Sequence, residues 1–199
     1  MNIELPSAMT VVLATLIKNK VRSLLMGGQA CVVYGGSEFS RDIDIAIYAN
    51  PANLIRLRSA LAELQATVIA VPPFTEDVLA RGHSVHFRCA AADGIRLDVM
   101  SRMRNVPPFP ECWSRRSIVS IEGAGDVDVL GIEDLVAAKK TRRDKDWPVV
   151  RKLVDVHYAE FGSEPTEQRV RFWLRELRTP EVLLDMVRRA PEIATEIAA

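Results

Sequence analysis

Asp42 and Asp44 stand two residues apart inside an apolar run, with Ile43, Ile45 and Ile47 at period two around them. That alternation predicts a strand over 41–49, so both carboxylates leave it from one face. Two like charges held side by side are unfavourable unless neutralised, and an oxygen-preferring divalent cation is the usual neutraliser. Asp98, between Leu97 and Val99, is a third acid in a predicted strand over 95–101. If the two strands are neighbours in one sheet, the three acids converge on one edge of it. Three carboxylates at that density suit one or two Mg²⁺ or Mn²⁺ ions. Metal-assisted phosphoryl or nucleotidyl transfer uses such a set, with one metal lowering the pKa of an attacking hydroxyl and another stabilising the leaving pyrophosphate. An isolated Asp-x-Asp reads more simply as a solvated strand end or an Asx-turn. The glycine pair ahead of it and Asp98 turn the reading towards chemistry.

That pair, Gly27-Gly28, closes an apolar segment over 21–26. With no Cβ, it offers a turn where backbone N–H groups approach a ligand phosphate closely. A short helix over 29–34 starting there would aim its first amides at an anion. Between Lys139 and Lys152 there are seven basic residues against Asp144 and Asp146. The functional reading gives Lys139 the β/γ-phosphates and lets Arg142 or Arg143 meet nucleic acid or a polyphosphate. The plainer reading makes the cluster a solvated face and Asp146 a helix cap, and Asp146 is able to do both. Lys139 and Asp146 are seven apart, and Pro148 predicts a break between them, with a new helix starting near Asp146.

The elements follow from periodicity and punctuation. Helices are predicted over 7–20, with Ser7 as N-cap, and over 51–64, with Leu54, Leu57, Leu61 and Leu64 as its stripe. Further strands are predicted over 67–71, 84–90, 118–121 and 127–130, with Asp93-Gly94 turning a hairpin into the Asp98 strand. Pro107 to Pro110 reads as a loop. From 132 onward the chain reads as helices only: 132–141, 147–160, 167–177 and 180–189. The order is α+β, a mixed core over 1–131 followed by a C-terminal helical region over 132–199.

Composition excludes several classes. The formal net charge of the 199 residues is zero, so no global basic field argues for bulk nucleic-acid binding. Cys31, Cys89 and Cys112 are odd in number and widely spaced, which argues against a disulfide framework or structural zinc. His83 and His86 with Cys89 offer no zinc set, since His-x-x-His on a strand points to opposite faces. His157 reads as a packing residue, and Trp113, Trp147 and Trp173 as core or helix-interface residues. No signal peptide and no apolar run long enough for a bilayer are present, so a cytoplasmic protein without membrane association is expected.

Gly27-Gly28-Gln29-Ala30, Tyr34-Gly35 and Ser40-Arg41-Asp42-Ile43-Asp44-Ile45 resemble the signature of the DNA polymerase β-like nucleotidyltransferase superfamily. Arg96-Leu97-Asp98-Val99 looks like that family's later acidic strand. Within the superfamily the chain is most similar to small bacterial nucleotidyltransferase-like proteins that include the AbiEii-type toxins. Leu135 to Lys139, Arg142-Arg143 and Lys145-Asp146 look like their helical block, one residue short, so Lys140 is an alternative to Lys139. The resemblance implies a nucleotidyltransferase-type mixed sheet backed by helices. It implies that Asp42 and Asp44 bind Mg²⁺ or Mn²⁺, and that Asp98 completes the site and serves as general base. Gly27 and Gly28 would hold the triphosphate, with Ser40, Arg41, Lys139 and Asp146 around the nucleotide. The second turn position is Gly28 where the best-understood members carry Ser. The implied substrates are a nucleoside triphosphate and a hydroxyl on protein, RNA or a small molecule. An inactive module binding nucleotide, nucleic acid or a protein partner is the alternative.

Overall fold

The computed structural model describes residues 4–36, 40–70, 72–141 and 143–199. The chain opens with α1 (Ser7–Lys18), β1 (Ser23–Met26), α2 (Gly27–Val33), β2 (Asp42–Ile47), α3 (Pro51–Glu63) and β3 (Ala66–Val68). After α4 (Glu76–Ala80) come β4 (Val85–Cys89), a 3₁₀ turn (Ala90–Ala92), β5 (Ile95–Met100), α5 (Phe109–Ser114), β6 (Ser117–Ile121) and β7 (Gly125–Val129). The rest is helical: α6 (Ile132–Lys139), α7 (Asp146–Phe161), α8 (Glu167–Glu176), α9 (Pro180–Arg189) and α10 (Pro191–Ala198). Among the described residues, the strands form one sheet in the order β3-β4-β5-β2-β1-β7-β6. It is mixed: β2 runs parallel to β5 and β1 to β7, and the other neighbours are antiparallel. The architecture is the expected α+β sheet with a C-terminal helical region.

The sheet is covered where its side chains are apolar. Ile43, Ile45, Leu97, Val99, Val85, Phe87 and Cys89 are all buried and alternate with polar residues along β2, β5 and β4. Period-two alternation thus separates a packed face from an accessible one. Asn50 caps α3, its side chain accepting from the Asn53 amide at 2.8 Å, with Pro51 in the first turn. Asn53, 2% exposed, ties this helix to the sheet. Its amide accepts from Arg22 N at 2.7 Å and donates to the Arg22 and Tyr48 carbonyls, both at 2.9 Å. Asn53→Ala is expected to cost about 1–2 kcal/mol, because it leaves the Arg22 amide unpaired and takes one of two donors from the Arg22 and Tyr48 carbonyls. Urea unfolding measures this, and an unchanged midpoint would show that the groups find other partners.

Three expectations are corrected here. Ser7 is the first helical residue of α1 and makes no capping bond, since Pro6 takes the cap position. Pro107 to Pro110 is not wholly loop. Phe109 starts α5 with Pro110 in its first turn, where a missing N–H costs nothing. Trp147 is 41% exposed, whereas Trp173 is fully buried. The buried stripe of α7 comprises Asp146, Val149, Val150, Leu153 and Val154. At about 100° per residue, Trp147 stands roughly a quarter turn from the stripe's centre.

Candidate active site

The acids come together through strand register. In the parallel β2–β5 pair, Asp44 lies opposite Asp98 and Asp42 opposite Arg96. In the antiparallel β1–β2 pair, Met26 lies opposite Asp44, so the chain leaves β1 for Gly27 beside the second acid. Gly27 has φ +67°, and a Cβ there would overlap the Asp44 carboxylate, 2.6 Å from its Cγ. The glycine is therefore required both by its backbone and by the acid it faces.

α2 ends in a Schellman motif: Gly36 N donates to Cys31 O at 2.7 Å and Gly35 N to Val32 O at 3.0 Å, with Gly35 at φ +75°. Residues 37–39, in the stretch read as a loop, lie outside the described residues; beyond them the Ser40 carbonyl accepts from the buried Gln29 amide at 2.9 Å. Ser40 Oγ donates to Asp42 O at 3.0 Å, which fixes the approach to β2. Gln29, read in the sequence only as part of the glycine motif, thus ties Ser40 to α2.

Gly27, Gly28, Ser40, Arg41, Asp42, Asp44 and Asp98 share one cleft of about 440 Å³ with Arg96, Lys139, Arg143 and Lys145. One wall is the acid face of the sheet. The other comes from the end of α6 and the segment after it. Lys139 is 7% exposed and its charge acts on Asp44. Lys140 points elsewhere, pairing with Glu176 of α8 at 2.9 Å. Asp146 does not line the cleft. It is 1% exposed and accepts from Thr141 Oγ1 and from Arg143 Nε at 2.8 Å and Nη2 at 3.2 Å. Burial alone would raise this carboxyl, but the Thr141 and Arg143 bonds outweigh it and hold it below the usual range. Asp146 therefore acts through Arg143. Asp146→Asn is expected to cost about 2 kcal/mol and to loosen Arg143, checked by unfolding and by the KM for nucleotide. No change in either would remove its positioning role. Arg142 lies outside the described residues.

Electrostatics mark Asp44. Burial first, then Asp98 and Asp42, push its carboxyl up to about 6, against the opposing pull of Lys139 and Arg96. A bound cation would relieve that strain, so the donor chemistry of Asp42 and Asp44 fits an oxygen-coordinated divalent ion. Asp98 is otherwise engaged. Arg96 grips it through Nε to Oδ1 at 2.7 Å and Nη2 to Oδ2 at 2.9 Å, and His86 Nδ1 lies 2.8 Å from Oδ1. Arg96 Nη2 also sits 2.9 Å from the same His86 nitrogen, which can serve only one of the two partners. Among the described residues, no three His, Cys, Asp or Glu side chains are gathered closely enough to hold one ion together.

Arg96 and His86 are the residues whose part in the site the sequence reading missed. Arg96 is two residues before Asp98, so a shared face was readable, whereas His86 needed the β4–β5 register. His157 does pack, accepting from Trp173 Nε1 at 3.0 Å, and burial holds its imidazole down to about 4. Cys31, Cys89 and Cys112 are buried, and none of them forms a disulfide. Among the described residues, no helix is long and apolar enough to cross a membrane.

No family model and no curated protein matches the chain in sequence. Solved structures do match. The lincomycin-bound crystal structure of the lincosamide antibiotic adenylyltransferase LnuA is 14% identical, with a TM-score of 0.53, over 78% of this chain and 99% of that one. The two chains share a fold. JHP933 from Helicobacter pylori (16% identical, TM-score 0.44, 96% of this chain and 90% of that one) also matches. So does ANT(2'')-Ia in complex with adenylyl-2''-tobramycin (12%, TM-score 0.44, 96% and 92%).

Proposed function

We propose that this chain transfers a nucleoside monophosphate from a nucleoside triphosphate to a hydroxyl acceptor. The observation that carries the reading is the polarity of the cleft, with Asp42 and Asp44 on the sheet wall and Lys139, Arg143 and Lys145 opposite. A triphosphate bridging such a cleft satisfies both walls at once. Asp42 and Asp44 would hold Mg²⁺ or Mn²⁺, with Asp98 joining them once Arg96 lets go. When bound, the ion supplies charge neutralisation at the phosphates.

The chain's own groups do the rest. Lys139 and Arg143 hold the β- and γ-phosphates, and Asp146 keeps Arg143 in place. The acceptor oxygen bonds to the α-phosphorus as the bond from that phosphorus to the pyrophosphate oxygen breaks. The hydroxyl proton passes to an Asp98 carboxylate oxygen, and pyrophosphate leaves with its charge against Lys139 and Arg143.

Incubation with each α-labelled NTP and Mg²⁺ or Mn²⁺, with and without cellular RNA and protein, tests this. Label transfer or self-labelling that Asp42→Asn abolishes is the expected result. No transfer, with NTP binding indifferent to that change, would point to a module that binds without reacting.

A further inference from the structure

The accessible face of the sheet continues past the acids, and its charge reverses. Two rungs cross it. One runs from Asp44 on β2 through Asp98 on β5 to His86 on β4. The other runs from Asp42 through Arg96 and Arg88 to Thr67 on β3. Directly opposite residues on paired strands project from the same side. Past the aspartates, then, this face presents His86, Arg88, Arg96 and Thr67, with no further carboxylate on either rung. Arg88 and Thr67 are exposed. Arg88 donates to Gly94 O at 3.1 Å, which turns the guanidinium towards the hairpin end of the strand pair.

In-line displacement fixes which substrate meets this patch. Attacking and leaving oxygens lie on opposite sides of the phosphorus. Lys139 and Arg143 place the pyrophosphate at the α6 side of the cleft, so the acceptor arrives from the β5 and β4 side. We infer that the acceptor carries a phosphate group close to its reactive hydroxyl, and that this phosphate draws Arg96 away from Asp98. Planar guanidinium groups on neighbouring strands suit one phosphate held by two forks once each leaves its present acceptor, Gly94 O for Arg88 and Asp98 for Arg96. Arg96 now turns its Nε and Nη2 to the carboxylate that must take the acceptor's proton. A phosphate that offers Arg96 a better anion releases Asp98 when the acceptor is seated, so the carboxylate is free to meet the acceptor hydroxyl only with both substrates present. A polycationic amino-sugar would meet Arg88 and Arg96 as like charges.

The inference rests on the transferase reading, and the test separates the two. With α-labelled NTP and Mg²⁺, the full-length protein is offered an oligoribonucleotide, a nucleoside 5′-monophosphate, a hexose phosphate, an unphosphorylated nucleoside and a polycationic amino-sugar. At least one phosphate-bearing acceptor is expected to be labelled on the order of 100-fold more efficiently than the last two, and the three phosphorylated arms show which source serves. Arg88→Gln is expected to raise KM for that acceptor on the order of tenfold while KM for NTP holds. Arg96→Gln should lose the preference for phosphate itself, which a purely structural arginine would not do. Equal labelling of the nucleoside or the amino-sugar overturns the inference and leaves the transferase reading standing. NTP binding that labels no phosphate-bearing acceptor overturns it too. Failure to bind NTP at all removes both.

Discussion

Asp44→Asn is expected to melt at a higher temperature than the wild-type protein at pH 7.5 without divalent cation, and to lose at least about 10³-fold in transfer rate. The two effects share one cause. Burial and the neighbouring Asp98 and Asp42 raise the folded carboxyl to about 6, from 3.8. The folded state therefore holds this proton more tightly than the unfolded chain does. Stability falls as pH rises through the interval from about 4 to about 6, and above it the whole cost is incurred. At about 1.4 kcal/mol for each pH unit of difference, the cost is about 1–3 kcal/mol, or several degrees of Tm. Asparagine removes the charge and with it the cost. At pH 4 the two proteins should melt together, and the gap should open as the pH is raised. Mg²⁺ at tenfold its dissociation constant would return about 1.4 kcal/mol to the wild type and nothing to the variant. Parallel pH profiles would show that Asp44 is not held against its charge. Equal stabilisation of both proteins by Mg²⁺ would place the ion elsewhere. The kinetic loss follows from removing charge where phosphate and cation must meet.

What the sequence could say about this site is bounded by range. Period two around Asp42 and Asp44 is local, so their shared face and their strand were readable from five residues. The α6–α7 break was equally local, because Pro148 restricts where a helix begins. Asp98 was readable as an acid in an apolar strand, but its place opposite Asp44 is a pairing between segments more than fifty residues apart. No local pattern encodes that register. The same limit hid His86, which looked like a weak metal ligand until β4 was aligned with β5. Side-chain choice is a further limit. Lys139 and Lys140 are adjacent and chemically alike, and only Glu176 on α8 decides which one turns from the cleft. The helices that were missed are short. Glu76–Ala80 spans little more than one turn, and Pro191–Ala198 buries no residue, so neither shows a stripe.

Gly27→Ala is expected to cost on the order of 3 kcal/mol or more and to abolish transfer, though no side chain is removed from the site. Two terms add. An alanine at φ +67° carries the penalty of a left-handed backbone, about 1–2 kcal/mol. Its Cβ would also lie 2.6 Å from Asp44 Cγ and 2.8 Å from Asp44 Cβ, where carbon atoms rest at about 3.5–4.0 Å. The backbone there is fixed by the Met26–Asp44 pairing, so Asp44 must move. Gly125→Ala separates the terms. Its φ is +92° and a Cβ there meets nothing within 4 Å, so it should cost about 1–2 kcal/mol from the backbone alone and leave transfer intact. The difference between the two variants is then the displacement of Asp44. It should shrink when both are compared in the Asp44→Asn background only if the charge, rather than the volume, is what alanine disturbs. The cycle is non-additive in the first case and additive in the second. If Gly27→Ala melted like Gly125→Ala and kept its activity, the glycine would be serving the turn alone. The close approach of the β1 terminus to the second acid would then have no part in the chemistry.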